Sequence, residues 1–360
     1  MTGKTQTNLQ TDQEYWNLRA RKSKRARWRQ QSILIGFLIL ASIPVLLPYF
    51  WLFTISFSAR TGGVESFVLW RACAILLPAV FIGGAVQMFI PSRRHRLDAY
   101  FAIIVVALIA LVWSIGPYLH LENYRFLWNP NIVEELKGMS GAGGDQFPWV
   151  WSAFWNSLIF ACVQSIVVLY VSTLAGYYIS RFSFPGRSTF LQSLLVLHAF
   201  PAMTLVIPIF LIMFWVGLID TITGVVLVVV TLELPFSIFL MKGFFDSVSW
   251  DIEMSAIVDG ASRRQAFVKV VLPQVKGGML AIGILAFIKG WEEYVFVRTL
   301  LFEKSNWMMS LYLFWVSEDI MGVDYGIVAA VGVFYVLPSL LLYLFFQKYI
   351  VQLNIGGVKG

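Results

Sequence analysis

Along this chain, apolar residues come in long unbroken runs separated by short polar interruptions. The runs lie near residues 32–57, 67–90, 99–118, 151–180, 190–218, 222–245, 278–300 and 325–350. A helix crossing a bilayer needs about 20 consecutive apolar residues, and each run is close to or above that length. Barrel strands would instead alternate apolar and polar positions over about ten residues, which these runs do not. The pattern predicts an all-α integral membrane protein, a polytopic helical bundle of about 8 transmembrane helices. The first run is too long for a cleavable signal, sits behind a polar tail and lacks a small-residue cleavage site.

Composition sharpens this. Hydrophobic residues make up 58% and charged residues 13%, against about a quarter charged in a soluble domain. No sizeable soluble domain fits between the runs. The charges that remain are mostly basic and fall on one side. They include the tail RARKSKRARWR ending at Arg29, then Arg93, Arg94 and Arg96, then Arg181, Arg187, Arg263, Arg264, Lys269, Lys276, Lys348 and Lys359. The positive-inside rule makes that side cytoplasmic and puts both termini there. The net charge of +7 is therefore read as orientation and not as nucleic-acid binding. Trp16 and Trp28 among the arginines fit a tail lying on anionic membrane lipid.

Cys73 and Cys162 both fall in spans, so neither serves a disulfide outside the membrane, and His95, His120 and His198 are too scattered for a metal site. The chain lacks a G-x-x-x-x-G-K-[ST] phosphate loop, so any nucleotide hydrolysis of that type belongs to another subunit.

One interruption carries a pattern of its own: EMSAIVDGASRRQAFVKVVLP, Glu253 to Pro273. The spacing predicts a short helix over 251–258, a break at Asp259-Gly260, and a restart capped by Ser262 with Gln265. The second helix is expected to end at Leu272-Pro273. Helices of two turns do not stand alone in water, so this segment needs a surface. Two readings stay open: a loop packed on its own protein, or a peg that a separate protein grips.

The segment resembles the E-A-A loop of permeases in binding-protein-dependent ABC importers, in which Gly and a terminal I-x-L-P follow E-A-A at fixed spacing. Gly260 and Val270-Val271-Leu272-Pro273 match, while the E-A-A slots hold Met254, Ser255 and Ala256, with Glu253 one place early. One residue turns a helix by about 100°, so Glu253 cannot be assumed to make the contact that the family's Glu makes. LENYRFL (121–127), WNSLIFA (155–161), SRFSFPGR (180–187), VGLIDTITGVVL, LPFSIFLMKGFF and the ending QKYIVQLNIGGVKG resemble the carbohydrate branch, in particular the shorter maltose-type permease. The likeness runs over most of 121–360. The hairpin at 67–118, joined by PSRRHRLDAY, has no counterpart there. It reads as a lipid-contact packing element or a partner-binding element.

The resulting organisation is a basic cytoplasmic tail (1–31), a first transmembrane helix (32–57), the extra hairpin (67–118), a periplasmic segment (119–149), a permease core (150–350) with a cytoplasmic loop at 246–277, and a cytoplasmic tail (351–360). The resemblance implies an importer permease in the bacterial inner membrane. Its implied partners are a second permease subunit, two cytoplasmic ATPases and a periplasmic or lipid-anchored solute-binding protein. ATP and Mg would sit on the partner ATPase, with no cofactor and no catalysis on this chain. It implies ATPase coupling through Glu253, Met254, Ser255, Ala256, Asp259, Gly260, Ala261, Leu272 and Pro273, and a tail of Gly356, Gly357, Val358, Lys359 and Gly360 reaching between the ATPases. The plain alternative for the tail is a frayed polar end.

For a sugar, polyol or related solute, the groups to follow are charges at membrane depth: Glu233 in the sixth run, and Trp291, Glu292, Glu293 and Tyr294 in the seventh, with Lys289 and Arg298 nearby. Such charges cost about 2.5–3.5 kcal/mol each to insert and generally face a cavity or a partner. Carboxylates and aromatic faces suit sugars, but the same groups can instead pair with one another or with a sister permease. On one continuous helix Glu292 and Glu293 would point about 100° apart. An autonomous channel or secondary carrier competes, although no internal repeat supports it. A membrane enzyme competes more distantly, since no paired carboxylate or His-rich constellation faces one compartment at catalytic spacing.

Overall fold

The computed structural model describes residues 33–34, 36–38, 40–58, 66–90, 92–118, 120–130, 148–318 and 324–356. Every regular element among them is helical. The helices are α1 (Gly36–Ser56), α2 (Ser66–Phe89), α3 (Arg93–Ile115), α4 (Val150–Arg181), α5 (Arg187–Ala199), α6 (Val206–Val216), α7 (Ile222–Asp246), α8 (Trp250–Val258), α9 (Arg263–Ala266), α10 (Leu272–Gln274), α11 (Lys276–Trp291), α12 (Val295–Leu300), α13 (Met309–Ser317) and α14 (Tyr325–Gly356).

Each of the eight apolar runs is helical, but they are not eight equal spans. Five described helices, α1, α3, α4, α7 and α14, are long and apolar enough to cross a membrane, and up to seven spans result if each bent pair counts as one. The apolar part of α2, Trp70–Val86, is shorter. The run at 190–218 breaks between α5 and α6, which meet at 88°. The cause is Pro201: the residue before it, Phe200, is held extended at φ −71° and ψ 130°, as proline demands of its predecessor. The run at 278–300 also breaks, between Trp291 and Val295.

The chain divides into two compact units, Met1–Asn123 with Tyr325–Ala330, and Tyr124–Asp324 with Val331–Gly360. In the first, α2 and α3 are joined by a short connection and pack against one another. Arg71 donates from Nη1 to Ser114 O (3.2 Å) and lies over the Tyr118 ring, while Ala72 and Ile115 form a small buried contact. Most of α3 faces outward, with Phe101, Ile104, Ile109, Val112 and Trp113 exposed, as befits a lipid-facing surface. Asn123, which is buried, donates from Nδ2 to Ser56 O (3.1 Å) and Ser58 O (2.9 Å). A Cβ on Gly326 would come within 2.6 Å of that amide.

The second unit is built on α4, α7 and α11. Gly176 lets α4 touch α7: a Cβ there would lie 2.7 Å from Met241 Cβ and 2.9 Å from Lys242 N. Gly278 on α11 makes the matching approach to the Phe244 ring (2.5 Å). Small residues at such crossings let backbones pack without a cavity, the usual solution for helices in lipid. At one end the core is apolar, made of Phe160, Val225, Val228, Phe296, Leu300, Met308 and Leu311. At the other, Met241, Phe245, Val271, Val275 and Ile282 pack beneath the polar loop.

Candidate functional site

The loop begins where α7 ends at Asp246, whose carboxylate accepts from Ser180 Oγ (2.6 Å) and Lys242 Nζ (2.5 Å). Ser249 then starts α8, its hydroxyl accepting from Asp251 N (3.3 Å). The helix stops where glycine was expected to stop it. Gly260 adopts φ +91°, a region that costs other L-residues about 1–2 kcal/mol, and Ala261 N closes the turn onto Ala256 O (3.0 Å). The restart is a complete capping box, with Ser262 N donating to Gln265 Oε1 (2.8 Å) and Gln265 N donating to Ser262 Oγ (3.3 Å).

The second arm differs from expectation in one respect. After α9 the chain widens into a π-turn over Phe267–Val271, and Leu272 N reaches back to Phe267 O. Pro273, with no N–H to donate, sits on α10 just past this wide turn, so the arm runs on to Gln274 before bending by 74° into α11.

Along the loop, Ser255, Asp259, Gly260 and Pro273 are exposed, and Met254, Ala256, Ala261 and Leu272 are half-buried. The short helix also turns apolar residues outward: Ile252 and Val258 are exposed, the latter by 86%. Glu253 corrects the expected set of outward contacts. Its side chain is 2% exposed and points into the protein, where Oε1 accepts from Tyr177 OH (2.6 Å) and Oε2 from Arg181 Nε (2.9 Å). The one-place offset noted in the sequence turns this carboxylate about 100° around the helix, away from the outward face. Arg181 and Tyr177 were not singled out as its partners, because one read as an orientation charge and the other as part of an apolar span.

The charged midspan is rearranged by the break at 292–294. Glu292 and Glu293 do not share a continuous helix, so the 100° relation does not apply. Glu292 is exposed as α11 ends. Glu293 is half-buried, and its Oε1 accepts from Phe296 N (2.9 Å) at the start of α12. Ser310 Oγ donates to the Glu293 carbonyl (2.6 Å). Lys289 is exposed and Glu233 is half-buried. Arg298 instead lies over the rings of Phe314 (5.1 Å) and Trp315 (4.8 Å). Tyr294 is half-buried against Phe314.

Trp291 also corrects the sequence reading. It is enclosed at 1% exposure, between Phe154, Phe287 and Tyr335, so no ring face is left for a solute. Gln164, missed earlier, is fully buried and has neither amide atom bonded. It lies beside Gly290, where a Cβ would come within 2.9 Å of its Oε1. A lone glutamine in mid-span was the available signal. Of the tail, Gly356 ends α14, and Gly357, Val358, Lys359 and Gly360 lie outside the described residues.

A many-span helical protein with a two-armed polar loop between two of its core helices has the makings of a membrane transport subunit. The chain belongs to the binding-protein-dependent transport system inner membrane component family, whose match covers residues 169–354. It is 32% identical over 237 residues to the diacetylchitobiose uptake system permease protein NgcG of Streptomyces coelicolor, covering 66% of this chain and 73% of that one. It is 30% identical over 290 residues to the sulfoquinovosyl glycerol transport system permease protein SmoH of Agrobacterium fabrum, covering 79% and 100%. The trehalose transport system permease protein SugB of Mycobacterium tuberculosis is 28% identical over 277 residues, covering 75% and 99%.

Proposed function

We propose that this permease forms half of the translocation path for a sugar, polyol or related solute, and that its 251–273 loop couples it to a separate ATPase. The observation that carries the coupling reading is the presentation of α8. A helix too short to be stable alone is fixed from within and exposes Ile252 and Val258 around the Gly260 turn, on a chain with no phosphate loop. The solute class is supported by the relatives, whose names refer to diacetylchitobiose, sulfoquinovosyl glycerol and trehalose. In this reading the complex contains a second permease, two cytoplasmic ATPases carrying ATP and Mg, and a periplasmic or lipid-anchored solute-binding protein. The loop and both termini face the cytoplasm, as the basic residues require, and the tail from Gly356 to Gly360 reaches between the ATPases.

Along the path, Glu233, Glu292, Glu293 and Tyr294 supply the polar groups. Glu292, exposed where α11 ends, is the carboxylate best placed for solute.

Purification from the native membrane tests the proposal. A stoichiometric ATPase should accompany this chain, with hydrolysis stimulated by sugar-loaded binding protein. An autonomous channel or carrier would purify without one.

A further inference from the structure

The inward side of the loop carries more than packing. We propose that Glu253 is a positioning residue that locks α8 onto the end of α4, so that the loop and the first core helix move as one body. This rests on the reading of 251–273 as the ATPase-coupling loop.

A buried carboxylate is tolerated only when its oxygens are paired, and here both are. Tyr177 OH takes Oε1 and Arg181 Nε takes Oε2. Arg181 is itself held on the loop side, donating from Nη2 to Val248 O (3.0 Å) and lying over the Trp250 ring (5.6 Å). It therefore clamps the residues just before α8 as well as the helix. Tyr177 extends the node further. Its ring lies 4.3 Å from that of Phe267, in the second arm, and 5.5 Å from that of Phe245, at the end of α7. One turn of α4 thus binds both arms of the loop.

The covalent link from α7 to α8 is a short turn at Ser247 to Ser249. A push on Ile252 or Val258 that travelled only through this turn would pivot α8 on it. Through Glu253 the push is delivered sideways into α4, which Gly176 seats directly on α7. Rigid elements joined by charged hydrogen bonds are a physical route for such coupling.

The test uses the whole transporter in proteoliposomes, with its ATPase and binding protein, reading solute moved per ATP hydrolysed. Wild type is measured first: if no ATPase accompanies it, the coupling-loop reading fails whatever Glu253 does. Glu253→Gln and Arg181→Met should keep the ATPase bound while solute per ATP falls about ten-fold, within the usual span of coupling between sites. The reversed pair, Glu253→Arg with Arg181→Glu, should regain a substantial part of the ratio relative to Glu253→Arg alone, which packing by itself would not produce. Should Glu253→Gln fail to accumulate, Tyr177→Phe decides, with an expected loss of about five-fold at normal yield for one hydrogen bond. An unchanged ratio in Glu253→Gln or in Tyr177→Phe, or no gain from reversal, overturns the proposal.

Discussion

Trp291 and Tyr335 exchange hydrogen bonds. The indole Nε1 donates to Tyr335 O (3.0 Å) and the phenol donates back to Trp291 O (3.1 Å). Trp291 closes α11, so the exchange ties the start of the break at 292–294 to α14 within one unit. Trp291→Phe removes a buried donor and leaves its acceptor short of a partner, at a cost of about 1–3 kcal/mol. The expected outcome is a lower melting temperature of the detergent-purified complex, with solute KM unchanged. A shifted KM at normal stability would return Trp291 to the solute path.

The two neighbouring glutamates should separate by role. Glu293 acts as the side-chain cap of α12 through Phe296 N, and Glu292 is exposed. Glu293 lies one place before the N-cap Tyr294, and Glu293→Ala is expected to lose about 1 kcal/mol of stability for the one hydrogen bond removed, whereas Glu293→Gln keeps an acceptor oxygen and most of that stability. Glu292→Gln should lower uptake at matched membrane levels without loss of yield. Uptake assays alongside thermal unfolding distinguish these outcomes, and equal behaviour of Glu292→Gln and wild type would direct attention to Glu233.

Gly260→Pro should leave the protein inserted but uncoupled. Proline holds φ near about −65°, and the turn requires +91°. Binding-protein-stimulated ATP hydrolysis is the measurement, and normal transport by this variant would contradict the coupling role of the turn.

The α4–α7 contact predicts a severe effect from a small change. Gly176→Ala would place a methyl group 2.9 Å from the backbone nitrogen of Lys242, an atom that cannot rotate aside. Overpacking of this kind costs about 1–3 kcal/mol. Membrane yield and thermal stability should both fall, whereas Gly283→Ala, whose nearest neighbour would be a Leu169 methyl at 3.6 Å, should be tolerated.

Removal of the hairpin bears on its purpose. Deleting α2 and α3 together preserves the direction of every later span, while deleting either alone reverses it. Cysteine-accessibility mapping of the loop should follow that parity. If the double deletion no longer assembles with the other subunits, the hairpin belongs to an interface.

How much of this was legible in the chain depends on the distance over which each feature is decided. The apolar runs, the Gly260 turn and the Ser262–Gln265 capping box were legible because each is settled by residues within a few positions of one another. The break at Phe200-Pro201 is equally local, since proline constrains its own neighbour, yet hydrophobicity alone reads 190–218 as one continuous run. The direction of Glu253 is a different matter. It is set by Tyr177 and Arg181, 76 and 72 residues away, and on its own helix nothing marks the inward face except a one-place offset. The enclosure of Trp291 likewise follows from Phe154 and Tyr335 arriving from other helices. The break after Trp291 has no proline or glycine in it; it is stabilised by Glu293 capping α12 and by Ser310 reaching its carbonyl. Local hydrogen bonds and hydrophobicity determined where helices form. Which side chains turn inward was decided only when distant segments met, because pairing a buried charge or filling a space requires the partner to be there.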